Sequence, residues 1–271
     1  MPTKVNTSVS RPPRKNHGLI NAEFRAVGAH TLDPSKLHRN IENFIGAAQV
    51  PIGLAGPIKV LGDHANGIFH VPFATTEGTL VSGYTLGMIA ASRCGGVRVK
   101  ILSHHTDVSP VFELPCLDES ARFAVWLSDH MSELARVCRT QTRNSTLIQV
   151  RPLVAGRRVF VFFAFDTRDA MGLNSISIAT EHCCRYIQEA YPAIVRYYLR
   201  SNLSADKKPA FTNFINGYGK EVSAEVTIRR SVAKRILGAT PEQMCDFWHA
   251  SVISGFQAGT VGHNAQYANA L

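Results

Sequence analysis

What most limits the folds open to this chain is the stretch from Val111 to Leu199, where short β-like runs alternate with long helical ones. Val111 to Leu114 reads as a strand. Asp118 to Arg139 then carries Phe123, Trp126 or Leu127, Met131, Leu134 and Cys138 at the spacing of one amphipathic helix. Two β-like runs follow, Leu147 to Val150 and Val159 to Phe165, joined by a turn at Ala155-Gly156. Ser175 to Ala190 reads as a second helix and Ala193 to Leu199 (AIVRYYL) as a last strand. The resulting order, β-α-β-β-α-β, is that of a ferredoxin-like split unit. The expected fold class is therefore mixed α/β (α+β).

The flanks are less regular. Glu42 to Val60 (ENFIGAAQVPIGLAGPIKV) is punctuated by Gly and Pro and suits a buried loop leading into a strand. Ile68 to Val71 is a short strand candidate. Gly78 to Ser92 follows with Leu80, Tyr84, Met88 and Ala91 at helical spacing; Thr76 is positioned to cap it, Glu77 falls in its first turn, and Gly95-Gly96 ends it. Beyond Ser201 come a polar loop with DKKP, a strand-like Val222 to Ile228, a helix from Ser231 to Leu237 and another from Pro241 into the 250s. The last stretch, GTVGHNAQYANAL, begins as helix and reaches Leu271 with neither the glycine nor the charged turn that usually finishes one.

Composition narrows the function. The net charge of +9 is spread along the chain apart from pairs such as Lys207-Lys208, Arg229-Arg230 and Lys234-Arg235. No basic helix and no interleaved aromatic pattern marks a nucleic-acid surface; phosphorylated cofactors would use the same charge, and much of it serves solubility. No run reaches the roughly 18 apolar residues of a membrane helix. The six cysteines form no C-x-x-C pair or Cys/His zinc spacing, so reduced thiols and a cytoplasmic setting are expected, with no metal. Residues 1–22 lack acids, but Pro12-Pro13 interrupts any amphipathic presequence, and a disordered tail is expected.

Several residues invite chemistry, each with a plainer explanation beside it. Glu77 in a first helical turn complements the helix dipole for ~0.3 to 1 kcal/mol. DAMGLN, Asp169 to Asn174, lies between a strand and a helix start, where backbone N–H groups hold phosphate, although Asn174 or Ser175 is equally a helix cap. Asp206-Lys207-Lys208 is either a solvated turn or a clamp for an oxyanion or carboxylate. None of the eleven histidines stands in a ligand-like array.

Taken in order, ENFIG (Glu42 to Gly46), VPIGLAGP (Val50 to Pro57), VPFATTEG (Val71 to Gly78), DAMGLN, DKKPA (Asp206 to Ala210) and GKEVSAEV (Gly219 to Val226) resemble the motifs of 3-hydroxy-3-methylglutaryl-CoA (HMG-CoA) reductase, in the class I, eukaryote-type catalytic region, from about residue 41 onward. The resemblance implies a large substrate and dimerisation domain in two parts, 23–108 and 201–271, with a ferredoxin-like NADPH-binding domain inserted at 109–200. It implies a homodimer with active sites at the interface, an acyl-CoA substrate, and reduction by NADPH in two hydride steps to mevalonate. Glu77 and Lys207 match the family's catalytic pair. Asp206, Lys208, Ser201 and Asn269 are implied as substrate contacts, and Arg143, Asp169, Met171, Gly172 and Asn174 as cofactor contacts, with Arg143 near the NADPH 2′-phosphate.

The chain departs from the family's pattern in two ways. The family's coupling aspartate and leaving-group histidine fall beyond Leu271, so the large domain is expected to be incomplete and the exact chain to form little mevalonate. Basic residues near the CoA phosphates align with Leu86, Ile89 and Gly238, and an arginine for the acyl carboxylate aligns with Val108. At ~1 kcal/mol each, three lost pairs weaken CoA binding on the order of a hundredfold. A reductase of another carbonyl compound, or a non-catalytic homologue acting as a binding or dimerising partner, therefore stand as alternatives.

Overall fold

The computed structural model describes residues 28–270 apart from 39, 209, 261, 264 and 265, so the tail expected over 1–22 lies outside the described residues. The chain divides into two compact units, one made of the described residues up to Ala55 with Val71–Val81, the other of Gly56–His70 with Ser82–Leu271. The elements in chain order are β1 (Ile52–Gly62), β2 (Asn66–Ala74), α1 (Leu80–Arg93), β3 (Val97–Val108), β4 (Val111–Glu113), α2 (Leu117–Asp129), α3 (Met131–Gln141), β5 (Thr146–Ala155), β6 (Arg158–Asp166), α4 (Leu173–Ala190) and β7 (Arg196–Tyr198). Then come α5 (Thr212–Asn216), β8 (Gly219–Glu225), α6 (Arg230–Val232), a π-turn (Ala233–Leu237), α7 (Pro241–Ala258) and α8 (Tyr267–Ala270).

The split β-α-β order is visible in the strand pairing. β6 lies antiparallel between β5 and β4, and β4 pairs antiparallel with β7 on its other side. One face of this sheet carries Val108, Phe112, Leu147, Val159, Val161, Phe163 and Phe165, packed on Phe123, Leu127, Leu134, Ile176 and Ile187 from α2, α3 and α4. Burying such a side chain contributes ~1.5 to 3 kcal/mol, which makes this cluster the main stabilising element. Cys138 and Cys183 sit in the same cluster with their sulfurs 3.0 Å apart; that hydrogen bond and burial together push the Cys183 thiol up, which makes it a packing residue rather than a nucleophile.

β3 is a strand the sequence reading lacked. It pairs in parallel with the end of β1 (Val60 opposite Val97) and antiparallel with β8 (Arg98 opposite Glu225, His105 opposite Gly219). Its last residues then pair with β6, Thr106 opposite Phe165 and Val108 opposite Phe163. A register shift between Ile101 and Ser103 bends β3 within its pairing to β8, which continues to His105 before β6 takes over at Thr106.

Other boundaries also move. The helix expected over Asp118 to Arg139 is two helices broken at His130, whose backbone N–H and ring both meet the Trp126 carbonyl, the imidazole stacking on the indole at 4.1 Å. The loop over 42–51 is largely exposed rather than buried. α1 starts at Leu80, because Thr79 adopts φ of 65° and delays the helix; Thr76 is thus too far upstream to cap it, and Glu77 is not in its first turn. The glycine missing from the chain's last residues is found earlier. Gly259, at φ of 70°, closes α7, and Tyr267–Ala270 form the separate α8. At its other end α7 has a complete capping box between Thr240 and Gln243.

Candidate functional site

The sharpest local arrangement surrounds the start of α4. Gly172 caps the helix at φ of 65°, and a Cβ there would come within 2.9 Å of the Thr167 side chain, so the position requires glycine. Arg168, also at positive φ, has its backbone N–H held by the Asp166 carboxylate at 2.8 Å. Gly172 supplies no side-chain cap, which leaves first-turn N–H groups of α4 free to meet an external acceptor. Asn174 and Ser175 are therefore residues of the first turn, not caps. The Ser175 hydroxyl bonds Thr142 at 3.0 Å and the Ser145 N–H donates to the same Thr142 oxygen at 3.2 Å, tying the end of α3 to the start of α4.

Beside this junction is a cleft of about 370 Å³ lined by Arg139, Thr142, Arg143, Ser145, Thr146 and Arg168, with Ala135 and Leu147. Among the described residues none of the three arginines has an acidic partner. Planar, unpaired guanidinium groups next to an open helix terminus form an anion site that favours bidentate acceptors such as phosphate. Of the residues expected here, Arg143 lines the cleft; Gly172 and Asn174 build the helix start; Asp169 and Met171 lie exposed on the loop before it. Sequence reasoning missed Arg139 and Arg168. The four-residue spacing of Arg139 and Arg143 at the end of a helix was the available signal.

The DKKP loop is held differently. Asp206 accepts from the Ser204 hydroxyl at 3.3 Å and lies 3.9 Å from Arg200. Lys208 donates to the Asn202 carbonyl and side-chain oxygens at 3.1 and 3.2 Å. Lys207, at φ of 60°, is exposed, and its ammonium has no partner among the described residues. Ser201 anchors the loop's entry through its N–H to the Ser109 carbonyl at 2.8 Å. Behind the loop are Asp107 and Tyr218. Burial pushes the Asp107 carboxyl up from the usual carboxylate range, and burial with the nearby Asp206 and Asp107 carboxylates pushes the Tyr218 hydroxyl up to about 12.

Glu77 belongs to the other unit, in the loop between β2 and α1, where its N–H donates to the Thr75 hydroxyl at 2.9 Å. Asn269 lies in α8, whose approach is fixed by the Tyr84 hydroxyl donating to the Gln266 carbonyl at 2.8 Å. Val108 is fully buried in the sheet core, Leu86 is exposed on α1, Ile89 is half-buried, and Gly238 closes the π-turn at φ of 68°.

Fold and cleft together define a mixed α/β protein with a basic, anion-accepting helix terminus. Its architecture is similar to that of a solved class II 3-hydroxy-3-methylglutaryl-CoA reductase from Streptococcus pneumoniae bound to NADPH, with a TM-score of 0.56 at 17% identity over 73% of this chain and 50% of that one. Among curated relatives, the 3-hydroxy-3-methylglutaryl-coenzyme A reductase of Pyrococcus abyssi is 36% identical over 92% of this chain and 62% of its own length. That of Aeropyrum pernix is 38% identical over 93% of this chain and 61% of its own. The family model for hydroxymethylglutaryl-coenzyme A reductase matches residues 13–271. The chain belongs to the hydroxymethylglutaryl-coenzyme A reductase family. It spans about 62% of the length of the curated relatives it matches. Among the described residues no helix is long and apolar enough to cross a membrane.

Proposed function

We propose that the protein acts in the NADPH-dependent reduction of HMG-CoA to mevalonate, in the cytoplasm, as a homodimer. The observation that carries this reading is the cleft of unpaired arginines at the start of α4, combined with family membership. Residues 109–200 are read as the ferredoxin-like NADPH-binding domain, inserted between the two parts of the substrate domain. Arg143 pairs with the 2′-phosphate, while Gly172, Asn174 and the first-turn N–H groups hold the phosphate bridge beside Asp169 and Met171. When bound, the cofactor supplies hydride. The exposed, unpaired ammonium of Lys207 stabilises the negative charge that develops on the thioester and then the aldehyde oxygen, and Glu77 gives or shares the proton there. Lys208, Ser201 and Asn269 hold the substrate, and Asp206, engaged by Arg200, fixes the backbone that carries Lys207.

Support for the dimer comes from α7, which has no buried residue and presents Phe247, Trp248, Ile253 and Phe256 to solvent. A row of large apolar groups on one helix is a surface for a second copy of the chain.

The deciding assay is HMG-CoA-dependent loss of NADPH absorbance. Turnover that falls ~10² to 10³-fold in Lys207→Ala supports the reading. NADPH binding without acyl-CoA-dependent oxidation favours the second reading, a reductase of another carbonyl compound or a non-catalytic nucleotide-binding homologue. One observation speaks for that alternative: the fully buried Val108 presents no charge to a substrate carboxylate.

A further inference from the structure

GKEVSAEV, Gly219 to Val226, is a motif to which the proposed chemistry gives no part, yet its second residue reaches the loop before α4. Lys220 lies opposite His104 in the β3–β8 ladder. Two residues beyond His104, Thr106 pairs with Phe165, so the His104–Lys220 pair sits beside the end of β6 and the loop that leaves it. There the Lys220 ammonium donates to the Arg168 carbonyl at 3.2 Å. The His104 ring lies 3.2 Å from the same ammonium and 3.6 Å from the Asp166 carboxylate, whose Oδ1 accepts the Arg168 N–H at 2.8 Å. Both backbone polar groups of Arg168 are thus held by side chains.

The hold matters because of the backbone it fixes. Arg168 is at φ of 55°, a left-handed conformation that a residue with a Cβ keeps only when its surroundings favour it. From that conformation its side chain lines the cleft with Arg143. A phosphate monoester carries about two negative charges near neutral pH, and one guanidinium answers only one of them. Arg139 stands in the last turn of α3, where its charge already complements the carbonyl end of the helix. Arg168 is the cation left over. Resting on the reading of the cleft as the NADPH site, we propose that Arg168 is a second contact to the 2′-phosphate and that Lys220 is the positioning residue that keeps it there. A strand of the part read as substrate domain thereby sets the cofactor preference of the part read as inserted.

The test compares NADPH and NADH affinities of the whole chain by nucleotide fluorescence, with thermal melts as the control for folding. Arg168→Gly removes the guanidinium yet accepts the left-handed backbone, so lost binding is not a lost loop. It is expected to weaken NADPH about tenfold and to leave NADH within about twofold. Lys220→Met should weaken NADPH by about three- to tenfold with NADH unchanged, while Lys220→Arg, which keeps a donor for the carbonyl, should bind like the parent. In the Arg168→Gly background, Lys220→Met should have no further effect, because its influence passes through the side chain already removed. Arg168→Gly binding NADPH like the parent, Lys220→Met weakening both nucleotides alike, or additive losses in the double variant would each overturn the proposal and leave the NADPH reading in place. A parent that binds NADPH no better than NADH overturns both.

Discussion

The sheet covered by α2, α3 and α4 and the helix α7 are both rich in large apolar residues, yet they use them oppositely. The sheet hides Phe112, Phe163 and Phe165 completely, whereas α7 leaves Phe247 74% and Phe256 77% exposed. α7 is nonetheless well specified as a helix, with a capping box at Thr240 and a left-handed glycine at its end. The difference separates local from tertiary stabilisation. Backbone caps define where a helix starts and stops, while burial decides what it is held against, and α7 has the first without the second.

The sharpest way to test that contrast is Phe163→Ala, which should destabilise the fold by ~3 to 5 kcal/mol in urea unfolding, since it empties a fully buried site. At the rim of the same sheet, Arg143→Ala should cost NADPH ~1.5 to 3 kcal/mol of affinity and leave NADH unchanged, as read by nucleotide fluorescence; equal losses for both would remove the 2′-phosphate contact. Asp107→Asn isolates one titration. The native state holds a proton on Asp107 above the pH at which the unfolded chain releases it, so that contribution to stability is complete at low pH and declines as pH rises above about 4. The asparagine variant should therefore gain on the parent with rising pH, by at most about 1.4 kcal/mol per pH unit, in paired thermal melts. Thr240→Ala should cost ~1 kcal/mol through the lost cap of α7. The smallest stability change, within ~0.5 kcal/mol, is expected for Phe247→Ser with Phe256→Ser, yet sedimentation should show the proposed dimer shifting toward monomer. A large loss of fold stability there would mean α7 is packed within its own chain.

Much of the sheet was legible because its pattern is regular. VFVFFAF gave β6, and the spacing of Phe123, Leu127, Leu134 and Cys138 gave the buried face of α2 and α3, although not the break at His130, which depends on a local ring stack. β3 was missed although Val97, Val99 and Ile101 alternate with Arg98 and Lys100, because the polar SHHTD that follows disguises its second half. The motif residues were readable one by one. Their surroundings were not: Arg168 joins Arg139, Thr142 and Arg143 only through the packing of α3 against α4, and Arg200 meets Asp206 only when the loop closes. Glu77 lost its helical explanation to the positive φ of Thr79, a backbone choice that residue type does not announce.

β3 passes its backbone from one set of neighbours to another along its length, bonding β1 at Val97–Val99, β8 on both sides of the bulge near Leu102 as far as His105, and β6 from Thr106 onward. Such a strand acts as a shared beam. Neither group of strands can open fully without releasing hydrogen bonds that the other depends on, so the slowest-exchanging amides on both sides of the bulge belong to one cooperative unit, and the reporter of its opening is the middle of β3 rather than either sheet alone.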